Sequence, residues 1–325
     1  MSSGTHLPAN SGPVDPEFSL PFQAAGQDLA DARTLASSFI ESEVLSPLRY
    51  PGGKRRLAPL IHHLLSANEY FPDLTVEPFA GGASVGLHLL THGVTSRLGL
   101  ADLDELVAAF WQTVFFDSAW LAAEIDKVEV TVAQWDEFRN SAASSTRAKA
   151  LKCLFLNRTS FSGILFPGAG PIGGRMQQSK YKIDCRFNRA ALIGRILKLA
   201  KLADRIAFIE NCGWEEAFNL VESATENMTS EEPFLYLDPP FFSKADKLYR
   251  HSFVATDHEA LRNRLGQTAL PWLLSYDSPE CVRSLYFGRN QRELGVLYSA
   301  SSSTKVRGAG EALVSNVFEL HTEHY

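Results

Sequence analysis

Nowhere among the 325 residues does an apolar run approach the ~18 that would span a bilayer, so the sequence offers no membrane-crossing helix. Its start lacks the basic-then-apolar pattern of a secretory signal, and a cytoplasmic location is expected. Cysteine is scarce: Cys153, Cys185, Cys212 and Cys281 lie far apart, with no C-x-x-C pair. That argues against a disulfide framework or a cysteine-built zinc site and suits a reducing compartment. The glycine turn after Glu77 does not follow the G-x-G-x-x-G dinucleotide pattern, and there is no complete P-loop. H-E-x-x-H is also missing. His88 and His92 have the i, i+4 spacing of metal ligands, but no Glu follows His88 and no third ligand is evident. His62-His63 reads as helix surface, so no metal is expected. Positive charge is in deficit too, and a net charge of −6 argues on its face against a nucleic-acid partner.

Resolved along the chain, that average breaks apart. From Arg139 to Arg205 there are fourteen basic residues and only two acids, Asp184 and Asp204, a local charge of +12 that leaves −18 for the remainder. Arg158, Arg175, Lys180 and Arg186 belong to this block, interleaved with Phe155, Phe161, Phe166, Tyr181 and Phe187. A single basic helix is usually a solvated face. A basic, aromatic and glycine-bearing insert fits a polyanion better.

Residues 1–45 are rich in Ser, Pro, Gly, Ala and Asp without a sustained hydrophobic period, and read as a disordered arm with at most one weak helix over 28–44. From Leu45 onward, short apolar runs alternate with amphipathic stretches. The runs Leu74-Thr75-Val76, Leu98-Gly99-Leu100, Ile206-Ala207-Phe208-Ile209, Phe234-Leu235-Tyr236-Leu237 and Trp272-Leu273-Leu274-Ser275-Tyr276 read as buried strands. Residues 84–92, 105–114 and 257–265 read as helices between them. This is the pattern of an α/β fold with a mostly parallel sheet covered on both faces. Residues 116–205 interrupt it with helical segments and one Gly/Pro-rich stretch at 162–175. The expected division is therefore an arm at 1–45, a discontinuous α/β domain at 46–115 and 206–325, and an inserted domain at 116–205. Near the end, 295–298 and 313–320 read as an antiparallel hairpin around a loop carrying Lys305 and Arg307.

Three motifs carry chemistry. In Thr75-Val-Glu-Pro-Phe-Ala-Gly-Gly-Ala-Ser-Val-Gly-Leu87 a strand ends at Glu77, and Gly81 and Gly82 turn the chain into a helix whose first amides can meet a ligand. The next strand ends in Leu100-Ala-Asp-Leu-Asp104, where an acid suits ribose hydroxyls. In Phe234-Leu-Tyr-Leu-Asp-Pro-Pro-Phe241 an apolar strand delivers Asp238 to the carboxyl edge of the sheet. Pro239 and Pro240 stiffen the turn without donors of their own, and Phe241 offers a flat face. Acceptors beside a stacking ring fit a planar amino-heterocycle. Finally, Leu48-Arg-Tyr-Pro-Gly-Gly-Lys54 is a Gly-Gly turn before the first core helix. Taken singly, each has an ordinary alternative: packing glycines, a strand terminator, a surface turn with a solvated lysine.

Taken in order, Tyr-Pro-Gly-Gly-Lys54, Glu-Pro-Phe-Ala-Gly-Gly82, Ala-Asp-Leu-Asp104, a basic insert and Asp-Pro-Pro-Phe241 resemble the Dam-like N6-adenine DNA methyltransferases. Phe155-Leu-Asn-Arg-Thr-Ser-Phe-Ser-Gly163, Cys185-Arg-Phe-Asn188 and Trp272-Leu-Leu-Ser-Tyr-Asp-Ser278 extend the resemblance, which covers about 47–320. It implies a Rossmann-like mixed sheet, S-adenosyl-L-methionine as cofactor, and an inserted, mainly helical target-recognition domain acting on double-stranded DNA. Tyr50, Lys54, Glu77, Phe79, Gly81 and Asp102 fall at cofactor-contacting positions, Lys54 near the cofactor carboxylate and Asp102 at the ribose. Asp238, with Pro239, Pro240 and Phe241, falls at the catalytic position and also borders the cofactor. Arg158, Phe161, Arg175, Lys180 and Arg186 of the insert, with Lys305 and Arg307, are the expected DNA contacts. Ala83 departs from a commoner glycine, a change Gly82 is expected to absorb, and Phe241 from a commoner Tyr. An RNA adenine-N6 or DNA cytosine-N4 enzyme and a non-catalytic DNA-binding relative share these features. The resemblance also admits a cognate restriction endonuclease or another defence-system protein as partner.

Overall fold

A computed structural model describes residues 45–49, 52–165, 168–227, 232–241, 252–277, 279–296, 309–316 and 320. The expected arm, apart from Leu45, lies outside the described residues, as do Tyr50, Lys305 and Arg307.

Each expected strand forms on its apolar run, and all but the edge strand over 206–210 are buried almost throughout. These are β1 (Leu74–Glu77), β2 (Arg97–Ala101), β3 (Ile206–Glu210), β4 (Pro233–Leu237) and β5 (Trp272–Tyr276). They pair in parallel in the order β3-β2-β1-β4-β5. Two further strands, β6 (Asn290–Val296) and β7 (Ala309–Ser315), complete a seven-stranded mixed sheet, with β7 antiparallel to β5 and β6 outermost. This hairpin begins earlier in the sequence than its apolar residues suggest. As the outer strand, β6 tolerates Asn290-Gln291-Arg292-Glu293, a polar run that carries no buried-strand signal.

Side chains along β4 and β5 alternate between two apolar layers, as a period of two requires. Phe234, Tyr236 and Leu273 meet α1 (Ala58–Ala67) and α2 (Ser84–Thr91). Leu235, Leu237, Trp272 and Leu274 meet α8 (Trp214–Asn227), α9 (Ala255–Gln267) and α10 (Pro279–Leu285) on the other face. Over β2 lies a third cluster, built on α3 (Glu105–Phe116), which starts at a capping aspartate: Asp104 Oδ1 accepts the Leu106 N–H at 2.9 Å.

The interrupting stretch forms α4 (Ser118–Lys127), α5 (Val132–Asn140), α6 (Thr146–Thr159) and α7 (Arg189–Ala200), with an irregular run at 160–188. Thr131, Ser145 and Asn188 cap the last three helices through side-chain oxygens. These helices share one continuous apolar cluster with α3, in which Phe110 and Trp111 join Leu154, Phe155 and Ile196. Arg205 fastens the far end, its guanidinium donating to the carbonyls of Leu90, Thr95 and Ser96 at 2.9, 2.6 and 2.9 Å. Among the described residues no single helix is long and apolar enough to cross a membrane.

Candidate active site

The chain leaves β1 in one direction across the sheet and β4 in the other, so their carboxyl ends flank the topological switch point where open α/β sheets bind ligands. Glu77 ends β1, and Asp238 follows β4. Both line a cleft of about 860 Å³, counting its open mouth, together with Lys54, Phe79, Gly81 and Asp102. The five cofactor positions expected in the described chain, and the aspartate expected to be catalytic, thus meet at one cleft.

Lys54 lies at the centre of an ion network. Its side chain is 2% exposed, and its ammonium reaches Asp238 Oδ1 at 2.8 Å, Glu311 Oε1 at 3.4 Å and the Gly52 carbonyl at 3.2 Å. It also lies 5.3 Å from the centre of the Phe241 ring. Burial alone would lower the Lys54 pKa, but the two carboxylates outweigh it and hold it above the usual lysine range. The ammonium thus faces Asp238 most closely, with the Glu311 carboxylate beyond it. Asp238 is pushed up by burial and pulled back by Lys54 and by the Ser275 hydroxyl, 3.3 Å from Oδ1. Its side chain keeps 24% exposure, which leaves a face toward the cleft.

The turn after β1 is tightly built. The Ala80 N–H donates to Ala101 on β2, and the Trp111 indole donates to the Gly81 carbonyl, both at 2.9 Å. Asp102 Oδ2 accepts the Gly81 N–H at 2.8 Å, while Oδ1 accepts the Asp104 N–H at 2.9 Å. Burial raises Asp102 to about 7. Gly81 has φ +42°, and Ala83 itself adopts the left-handed region at φ +47°. The expected relief by Gly82 is therefore corrected: the alanine carries the unusual backbone, because the turn must enter α2 at that residue. Glu77, pushed to about 8 by burial, accepts the Gly86 N–H from the first turn of α2. A Cβ at residue 86 would lie 2.5 Å from Leu98 Cδ1 and 2.8 Å from Glu77 Oε1, so a glycine is what lets the helix approach.

Several contributors escaped the motif reading. Glu311 on β7 is fully buried, and burial raises it to about 7. A lone acid entering the apolar run Ala312-Leu313-Val314 was its signal. Trp214 and Phe253 form cleft walls, the latter edge-to-face with Phe79 at 5.6 Å between centroids. Trp214 follows Gly213 just past the end of β3, the position of the acids after β1 and β2.

The expected DNA contacts divide. Phe161 is 68% exposed, and Tyr181 beside Lys180 is 57% exposed. Arg186 is exposed. Arg175 is exposed but ion-paired with Asp136 at 2.8 Å. Arg158 requires correction as a surface contact: it is buried, and its Nε donates to the Pro47 carbonyl at 2.7 Å. Next to it, the buried Asn157 accepts the Arg49 N–H at 2.7 Å and donates to the carbonyls of Arg49 and Gly163. Both residues of Phe155-Leu-Asn-Arg158 therefore clasp the segment that leads into the Lys54 turn. Gly163 has φ +77° and no room for a side chain, since a Cβ there would lie 2.1 Å from the Arg49 carbonyl oxygen. Arg158 is lowered to about 9, by burial first and then by Arg195, Arg49 and Arg186, a concentration of guanidinium charge.

His62 also departs from expectation. It is half-buried, and its Nδ1 lies 3.2 Å from His88 Nε2.

A mixed sheet of this order, with acids after β1, β2 and β4 around one cleft, defines a Rossmann-like methyltransferase fold. Residues 50–299 match the model of the D12 class N6 adenine-specific DNA methyltransferases, and the chain belongs to that family. Methyl transfer to adenine in DNA is the family's chemistry. No match is found among the curated proteins.

Proposed function

We propose that this protein transfers a methyl group from S-adenosyl-L-methionine to N6 of adenine within specific sites of double-stranded DNA. The observation that carries the reading is the Asp238 carboxylate, oriented by Lys54 and Ser275 at the switch-point cleft and opening toward it. The cleft chemistry supports this cofactor. Glu77, Asp102, Asp104 and Asp238 line it against one lysine that is already paired, an excess of acid that suits a sulfonium and an ammonium and disfavours a phosphate. Phe79, Trp214 and Phe253 suit its purine, and Asp102 its ribose. When bound, the cofactor supplies an electrophilic methyl.

The chain's own residues act on the adenine amine, a poor nucleophile because its lone pair is delocalised into the ring. Asp238 and the Pro239 carbonyl accept its two hydrogens, which frees the lone pair, and Phe241 stacks on the base. Positioning and electrostatics then carry the transfer. Lys54 is a positioning residue: it keeps Asp238 ionised and aimed. The base must leave the duplex to reach this pocket. Residues 46–115 and 206–325 form the methyltransferase domain, and 116–205 the target-recognition domain. Within the latter, exposed Phe161, Lys180, Tyr181 and Arg186 meet DNA, and Arg49 and Arg195 add positive charge. Arg158 serves as an internal clasp.

The test is incubation with methyl-labelled S-adenosyl-L-methionine and plasmid from a methylation-free host, followed by nucleoside mass spectrometry. N6-methyladenine is expected, and Asp238→Ala should abolish it while DNA binding persists. Label appearing in N4-methylcytosine, preference for RNA over duplex DNA, or wild-type turnover in the variant would reject the proposal.

A further inference from the structure

We propose that His62, His88 and His92 form a binding site for one divalent transition-metal ion of the zinc class, clipping α1 to α2. Each of the three offers a ring nitrogen within 4.8 Å of the other two. Two nitrogens held about 2.0–2.1 Å from a tetrahedral ion lie roughly 3.3 Å apart. The His62 Nδ1 to His88 Nε2 separation of 3.2 Å already has that value. His88 and His92 are stacked at i, i+4, with centroids 4.0 Å apart and planes at 29°, so their edges run side by side. His62 meets both at steeper angles, 61° and 57°.

Tautomer and protonation agree with this geometry. His92 Nδ1–H donates to the His88 carbonyl at 2.8 Å, an interaction that leaves Nε2 with its lone pair, as a second hydrogen bond does for metal-bound histidine. Burial, then the neighbouring imidazoles, lowers His88 to about 4 and His62 below its usual value, so both present neutral rings. A simple hydrogen bond between His62 and His88 accounts for one close distance but not for a third imidazole converging on the pair. Three nitrogens with one side open through the exposed His92 suit zinc, with cobalt and nickel as spectroscopic substitutes. The consequence is mechanical: α1 follows the Lys54 turn and α2 follows the Gly81 turn, so the ion would pin together the helices that carry both.

The experiment is calorimetric titration of Zn²⁺ into the chelator-treated full chain, with thermal melts before and after. One ion per chain and a raised melting temperature are expected. His92→Ala and His62→Ala should weaken binding at least about tenfold and lose the thermal shift. His63→Ala, one residue away, should retain both. Circular dichroism of the metal-free His92→Ala variant should match wild type, since this histidine is exposed. Absence of Zn²⁺ uptake by the wild type, or unchanged affinity in His92→Ala and His62→Ala, would overturn the proposal.

Discussion

Replacing Lys54 with Met removes one cation and keeps most of the side-chain volume. The lysine sits 2.8 Å from Asp238 and 3.4 Å from Glu311, and among the described residues no other base reaches either carboxylate within ion-pair distance. Breaking a buried pair by deleting one partner costs about 3–5 kcal/mol. Here the carboxyls have an escape, because each can take up a proton. Glu311 already stands at about 7 with Lys54 present, and Asp238 is raised by burial. Without the lysine, both move further up. A carboxyl whose folded pKa exceeds its unfolded value of about 4 stabilises the fold at low pH and loses that contribution as pH rises through the folded pKa. The loss in Lys54→Met should therefore be small at pH 6 and reach about 3 kcal/mol or more at pH 8. Urea unfolding of both proteins at the two pH values measures it. Methyl transfer should follow the opposite pH trend: a protonated Asp238 is a weaker acceptor for the amine hydrogens, so activity should be lowest at pH 6 and partly return as pH rises. A variant within about 1 kcal/mol of wild type at pH 8, with an unchanged slope against pH, would refute the reasoning.

Gly86→Ala should destabilise the protein by about 1–3 kcal/mol, because the new Cβ meets Leu98 and Glu77 where helix and strand are closest; a melting temperature equal to wild type would contradict that contact. Wild-type stability should decline between pH 6 and pH 8, since Glu77 at about 8 and Asp102 and Glu311 at about 7 all bind protons more tightly folded than unfolded. A urea midpoint that rises over this range would reverse the sign. Replacing Arg186 and Arg195 together with Gln should leave the fold intact and weaken DNA binding, lowering the slope of log affinity against log salt by roughly 2. An unchanged slope would remove both from the DNA surface.

The cleft was readable because its parts are local. Buried parallel strands must be apolar runs, and an acid directly after such a run stands at the carboxyl edge whatever the rest of the fold does. The roles of the basic residues were not readable in the same way. Composition marks +12 over 139–205, yet Arg139, Lys152, Arg158, Arg189 and Arg205 point their donors at backbone carbonyls, and Arg147, Lys149 and Arg175 at acids. A charge is visible in sequence, but its partner is decided by packing across many residues. The same holds for Glu311 and His62, whose neighbours come from Lys54 and His88 on distant segments. Ala83 shows the converse limit, since a left-handed backbone at a non-glycine residue leaves no compositional trace.

The hairpin strand that carries Glu311 is also a matter of timing. In synthesis β5 emerges before β6, and β6 before β7, yet in the sheet it is β7 that lies against β5. Until β7 arrives, β5 presents an open edge, and Lys54 faces Asp238 without its second carboxylate. Contacts between the first and last parts of the described chain carry high contact order and form late. The cleft end of the sheet is thus completed by the last of the described strands to be synthesised, which makes the assembled cleft a sign that this sheet has finished folding.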